Sequence, residues 1–195
     1  MGKTRNQHRP AERGPLCLVV LCLVVLTFPS CLVASLHPVY DDESIVFDEA
    51  LVGTWTNRES EVSAVLTRGE WKSYHLAYTD RFGTTQFTAH LTTLGPARLL
   101  NVRPEDGVER PAFVVASNGF MQVVLEADRL RVREPEYGVL LQRLNNRTLG
   151  VEAAMDLKQN ILFTAPSAKV RAWLATALKD ETLWADWKNF SRSAR

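Results

Sequence analysis

The sequence predicts a mainly β body: an antiparallel up-and-down barrel of about eight to nine strands followed by C-terminal α-helices. Two observations carry that expectation. From Glu61 to Arg133, short runs alternate apolar and polar residues and succeed one another through tight turns, the period-two signature of half-buried strands. Beyond them, Val170, Trp173, Leu174, Ala177 and Leu178 recur at helical spacing as one apolar stripe. With 195 residues, the chain is long enough to bury a single sizeable core.

The first 31 residues read as an export leader. Lys3, Arg5, Arg9 and Arg13 face one acidic residue, Glu12, and no charge occurs from Gly14 to Tyr40. Residues 15–28 have the length of a signal-peptide apolar core behind a basic start. Pro29, Ser30 and Cys31 follow. This arrangement resembles a bacterial lipoprotein signal, in which a small residue precedes the cysteine that becomes lipidated. Ser30 fits that pattern, while Phe28 and Pro29 depart from the usual leucine and small residue. The resemblance implies lipidation at Cys31. Two other readings stand beside it: secretory cleavage near Ala34 or Ser35, and an uncleaved anchor, since residues 15–36 are long enough to span a bilayer. In all three the basic start stays cytoplasmic and the body is exported. Leu32 stands where some Gram-negative lipoproteins carry the aspartate that marks inner-membrane retention, so the resemblance favours the outer membrane of a bacterial cell envelope.

Residues 32–46, with His37, Pro38 and the acidic run Asp41, Asp42 and Glu43, read as an exposed linker. The barrel is expected over 47–165 and the C-terminal helices, packed on it, over 166–195. Leu51 to Trp55 opens the first strand. Val62, Ala64 and Leu66 share one face of the second. Tyr74, Leu76 and Tyr78 share one face of the third, and Phe87, Ala89 and Leu91 one face of the fourth. If the turn Asp80 to Gly83 closes that hairpin, Leu76 faces Phe87 and Tyr74 faces Ala89, so the apolar faces match in register. Ala97 to Arg103 follows the break at Gly95 and Pro96. Residues 112–117 and 120–126 read as two strands joined at Asn118-Gly119 by a type I′ turn, and 129–133 completes the run. Residues 135–146 suit a short helix and 161–164 a further strand. Pro166 opens the long helix, and 180–191 reads as one or two more helical turns.

Gly53 and Trp55 match the Gly-x-Trp motif with which barrels of the lipocalin and wider calycin group begin. In that group the tryptophan closes one end of the barrel. The chain also resembles a set of uncharacterised bacterial lipoproteins in which a leader, a His-Pro-x-Tyr segment and a Phe-Asp…Gly-Thr-Trp segment occur in this order. His37-Pro38-Val39-Tyr40, Phe47-Asp48 and Gly53-Thr54-Trp55 carry that resemblance.

Net charge is +1, yet from Leu32 onward the chain has 19 basic and 21 acidic residues. Such a body lacks the basic excess that nucleic-acid binding needs. Cys17, Cys22 and Cys31 all lie in or just after the leader, so the body holds neither a disulfide nor a thiolate metal site. No metal-protease, nucleophile-elbow or phosphate-loop motif occurs. No catalytic residue, metal or cofactor is therefore expected. His75 and His90 fall on one outer face as diagonal neighbours, which reads as solvated histidines before it reads as a pair. Arg129, Arg131 and Arg133 form an outward comb, the polar face of a strand or a contact for anionic lipid or polysaccharide. Trp184, Trp187 and Phe190 suit packing under the barrel or a membrane interface. Tyr74, Tyr78, Phe87 and Met121 are the candidate lining of an apolar cavity, because eight strands leave room for side chains or for one small ligand. Two functions lead at this point: a membrane-tethered protein binding a small hydrophobic ligand, or an envelope interaction module with a solid barrel; a third, an enzyme, would rest only on His75 and His90.

Overall fold

The computed structural model describes residues 32–105 and 117–193. The leader with Cys31, and the strand expected over 112–117 except Ser117, lie outside the described residues. In chain order the elements are β1 (Val33–Ser35), β2 (Ile45–Val46), a 3-10 turn (Glu49–Leu51), β3 (Gly53–Asn57), β4 (Val62–Arg68), β5 (Ser73–Asp80), β6 (Gly83–Leu94), β7 (Ala97–Pro104), β8 (Gly119–Glu126) and β9 (Arg129–Arg133). Then come α1 (Tyr137–Asn145), β10 (Ala153–Met155), β11 (Ile161–Phe163), α2 (Ser167–Ala177), a 3-10 turn (Glu181–Leu183) and β12 (Lys188–Arg192).

Strands β3 to β9 run antiparallel, each paired with the next, and β12 joins β9 to β3. The result is a closed eight-stranded antiparallel barrel, with β2 added outside against β6. Closure leaves no barrel strand with an open edge. The β5–β6 register is the one that the alternation requires, with Leu76 opposite Phe87 and Tyr74 opposite Ala89. Inward-facing side chains, among them Ala64, Leu66, Leu76, Leu91, Leu100, Val123 and Val132, form the barrel core.

Two expectations are corrected here. Residues 180–191 are not a helix beyond one 3-10 turn: Lys188–Arg192 is the closing strand, and its Phe190 points into the barrel core. Residues 32–46 are not an exposed linker. β1 pairs in parallel with β11, and Val39 and Ile45 are buried. The strand expected to precede the Asn118-Gly119 turn is outside the described residues, and β8 itself pairs with β7 and β9. Asn118 exchanges backbone hydrogen bonds with Ser35, at 2.7 and 2.8 Å.

A second core lies on the outer wall of the barrel. The expected stripe of α2 is buried there, Val170, Trp173, Leu174 and Ala177, with Pro166 one residue outside the helix at its cap. It packs with Leu140 of α1, Phe163 of β11, and Leu99 and Phe120 from the outward face of β7 and β8. β11 and β10 are not barrel strands: with β1 they make a separate three-stranded sheet. Asn101, buried on the outer wall, accepts from the Val39 amide at 3.1 Å and donates to Asn118 at 3.2 Å, which fixes the N-terminal segment on the wall.

Candidate functional site: the open end of the barrel

The two ends of the barrel are built differently. At one end the 3-10 turn Glu49–Leu51 leads directly into β3. Trp55 is fully buried and its indole N–H donates to the Leu51 carbonyl at 2.9 Å. The guanidinium of Arg192, at the end of β12, lies over the Trp55 ring at 4.2 Å. It donates to the Val52 carbonyl at 2.9 Å and to the Ala50 carbonyl. Gly53 explains itself here. Its φ of +145° disfavours other residues, and a Cβ at this position would stand 2.6 Å from Arg192 Nη1.

Tyr74, expected among the cavity residues, belongs to this closed end instead. Its ring stacks on Phe47 at 4.7 Å. Its hydroxyl accepts from the Asp48 amide at 2.7 Å and donates to the Asp48 carbonyl at 3.2 Å. Arg98 pairs with the Asp48 carboxylate at 2.8 Å. Burial works against that carboxylate, yet the hydrogen bonds from Arg98 and the Ala50 amide hold it below the usual range.

The opposite end is hollow. A cavity of about 400 Å³ runs from the mid-barrel residues Ala64, Leu66, Leu76, Leu100, Leu130 and Val132 out to a mouth. Tyr78, Phe87 and Met121 line it. Its rim carries Pro104, Glu134 and Lys188, and β1 contributes Val33 and Ala34 with the preceding Leu32. The walls are almost wholly apolar. One ion pair, Lys188 to Glu134 at 3.2 Å, sits at the rim. Burial, with Glu134 and Asp80 adding to it, pushes the Tyr78 phenol above its ordinary value, so at neutral pH it is an uncharged hydroxyl. An apolar chamber with a few polar groups at its entrance has the chemistry of a site for a hydrophobic or amphipathic small molecule. Leu32 to Ala34 are among the lining residues that sequence reasoning missed: the linker reading placed them outside the barrel, and a three-residue strand is too short to show a period.

The other candidates are engaged elsewhere. His75 Nδ1 lies 2.7 Å from Glu105 Oε1 on an exposed surface. The His90 ring packs on Tyr40 at 4.8 Å, and burial lowers its pKa. The two histidines thus have separate partners. Among the described residues no group of three or more His, Cys, Asp or Glu side chains converges to hold a metal. Only Arg129 of the arginine comb stays exposed. Arg131 pairs with Glu126 at 2.8 Å, and Arg133 is buried between Gln122, Glu181 and the ring of Trp187. Trp184 and Phe190 are buried as well. A wider, shallower depression of about 840 Å³ lies between α2, Gly150 and Asp180. Its rim charges neutralise each other, Arg143 with Asp180 and Lys169 with Glu152.

No protein-family model, no curated protein and no solved structure matches this chain.

Proposed function

We propose that this is an exported, membrane-tethered protein whose lipocalin-like barrel takes a small apolar or amphipathic ligand at its open end. The observation that carries the reading is the cavity of about 400 Å³, apolar in its walls and open beside Tyr78, Phe87 and Met121. A barrel of eight strands can be filled by its own side chains or can hold one small ligand, and the chamber favours the second. The tryptophan plug at the other end supports the lipocalin-like description, because one closed end and one open end are what a binding cup requires. The tether rests on the basic start, the uncharged run and Cys31. The role is carriage or sequestration of a ligand and not catalysis, since His75 and His90 stand apart in partnership and neither faces the chamber.

Native mass spectrometry of the full chain, extracted from its own membrane, tests the ligand. The expected spectrum shows a mass above chain plus anchor, and a lipid-like molecule in the organic extract. Bare chain plus anchor with an empty extract overturns the reading. Labelling with a radioactive fatty acid tests the tether. Cys31→Ala is expected to abolish incorporation, and equal labelling of both forms excludes lipidation at that residue.

A further inference from the structure

We infer that the turn between β10 and β11, together with Leu32, is a bilayer-docking surface that holds the mouth of the barrel against the membrane. The inference rests on the tether proposed above and adds the orientation of the body, which a tether alone leaves free. Its occupant is a phospholipid surface, and the argument begins with where the described chain starts.

Leu32 is not on a loose linker. Its amide donates to Asn160 Oδ1 at 3.0 Å, and its carbonyl accepts from the Ile161 amide at 2.9 Å. One residue spans at most about 3.6 Å, and Leu32 is the covalent neighbour of Cys31, so an anchor at Cys31 is one residue removed in sequence from this fixed point on the body. Whether the membrane holds Cys31 by an acyl chain or by the run itself, Leu32 is brought to the bilayer surface. Whatever neighbours Leu32 at that end of the small sheet comes with it.

Those neighbours are apolar and exposed. β1 and β11 begin at this end and β10 finishes there, in the register Val33, Ile161, Met155. Leu32 is 51% exposed, Met155 42% and Leu157, at the tip of the β10–β11 turn, fully so. The turn that presents Leu157 is braced from within. The Asp156 carboxylate accepts from the amides of Lys158 and Asn160 and from the Asn160 side chain, each at 2.8 Å. The Tyr137 hydroxyl donates to the Gln159 carbonyl at 2.7 Å. A rigid turn that projects a whole leucine into water, with Lys158 next to it, suits insertion at a headgroup boundary: the leucine enters the acyl edge and the ammonium meets phosphate. Because Leu32 also lines the cavity, the same docking sets the chamber mouth beside the lipid. A ligand can then pass between membrane and barrel without crossing water.

The test is photo-crosslinking of the full chain reconstituted in vesicles of phosphatidylethanolamine and phosphatidylglycerol. A diazirine amino acid replaces Leu157 in one sample and Trp71 in another. Trp71 is an equally suitable surface site, 61% exposed in the β4–β5 turn at the closed end. The expected result is a yield of lipid adducts several-fold higher from position 157 than from position 71. Equal yields, or adducts from position 157 to protein alone, overturn the inference. Sedimentation of the same samples after an alkaline wash separates the two layers of the argument. Chain retained in the pellet without lipid adducts at 157 overturns the docking surface and leaves the tether standing, whereas chain lost from the pellet overturns both.

Discussion

The closed and open ends of this barrel use the same strands and the same alternation, yet one is solid and the other hollow. At the closed end Trp55, Tyr74 and Arg192 each have a polar group that is satisfied. The indole of Trp55 reaches Leu51, the phenol of Tyr74 reaches Asp48, and Arg192 ties the 3-10 turn to the last strand. At the open end Tyr78, Phe87 and Met121 border the cavity at the edge of the barrel core. The contrast teaches that inward direction and packing are separate properties. Period two decides which side chains point inward, and the segment that crosses an end decides whether they are covered.

Substitutions at the two ends should therefore cost different amounts. The largest effect is expected at the plug: Trp55→Ala should destabilise by ~3–5 kcal/mol in chemical denaturation, as for other fully buried large side chains. A cost under about 1 kcal/mol would remove Trp55 from its role as plug and collapse the comparison. Arg192→Met keeps the aliphatic reach but leaves the Ala50 and Val52 carbonyls without their donor, and should cost about 1–3 kcal/mol by the same measurement. At the open end Phe87→Ala should cost no more than ~1.5 kcal/mol, because its ring already borders a cavity. The same variant should weaken retention of the co-purifying ligand. A loss as large as that of Trp55→Ala, with ligand retained, would reverse the assignment of the two ends.

The smallest effect lies on the wall between the ends. Burial pushes the His90 imidazole below its ordinary pKa. As pH falls below about 6.5 the unfolded chain takes up this proton first, so stability is lost until the folded imidazole is protonated too. Urea midpoints at pH 7 and pH 5 should show that drop in the wild type and a shallower one in His90→Gln. Identical slopes would mean that the imidazole on Tyr40 senses no burial.

Much of the barrel was legible because strands β4 to β6 are long, alternate cleanly and pair with their sequence neighbours through short turns. The helices were legible for a similar reason: Val170, Trp173, Leu174 and Ala177 repeat within one local window. The misses are all non-local. Lys188–Arg192 holds one buried apolar residue, Phe190, in five, and is a strand only because β9 and β3 leave a gap of one strand between them. Preceded by Trp184 and Trp187, it looks locally like the polar side of a helix. β1 and β2 have three and two residues, too few to establish any period. Val39 and Ile45 sit among His, Pro and Asp, and are buried because the outer wall of the barrel receives them. Tyr74 shares its face with Leu76 and Tyr78, so alternation placed all three inside. Depth along the barrel axis depends on the strand's tilt and on Phe47 arriving from elsewhere, and a one-dimensional pattern does not contain it.

The position of β12 in the chain has a kinetic consequence. Seven barrel strands precede it, and α1, two strands and α2 intervene before the eighth arrives. During synthesis the free edges of β3 and β9 wait, unpaired, until the last segment emerges. Those edges are templates for wrong partners, and a contact this distant in sequence forms late because a long loop must first be closed. Folding of this protein should therefore be limited by the docking of its final strand, as expected for topologies dominated by non-local pairing. The Trp55–Arg192 contact, which joins the first barrel strand to the last, then marks the moment at which the ring is complete.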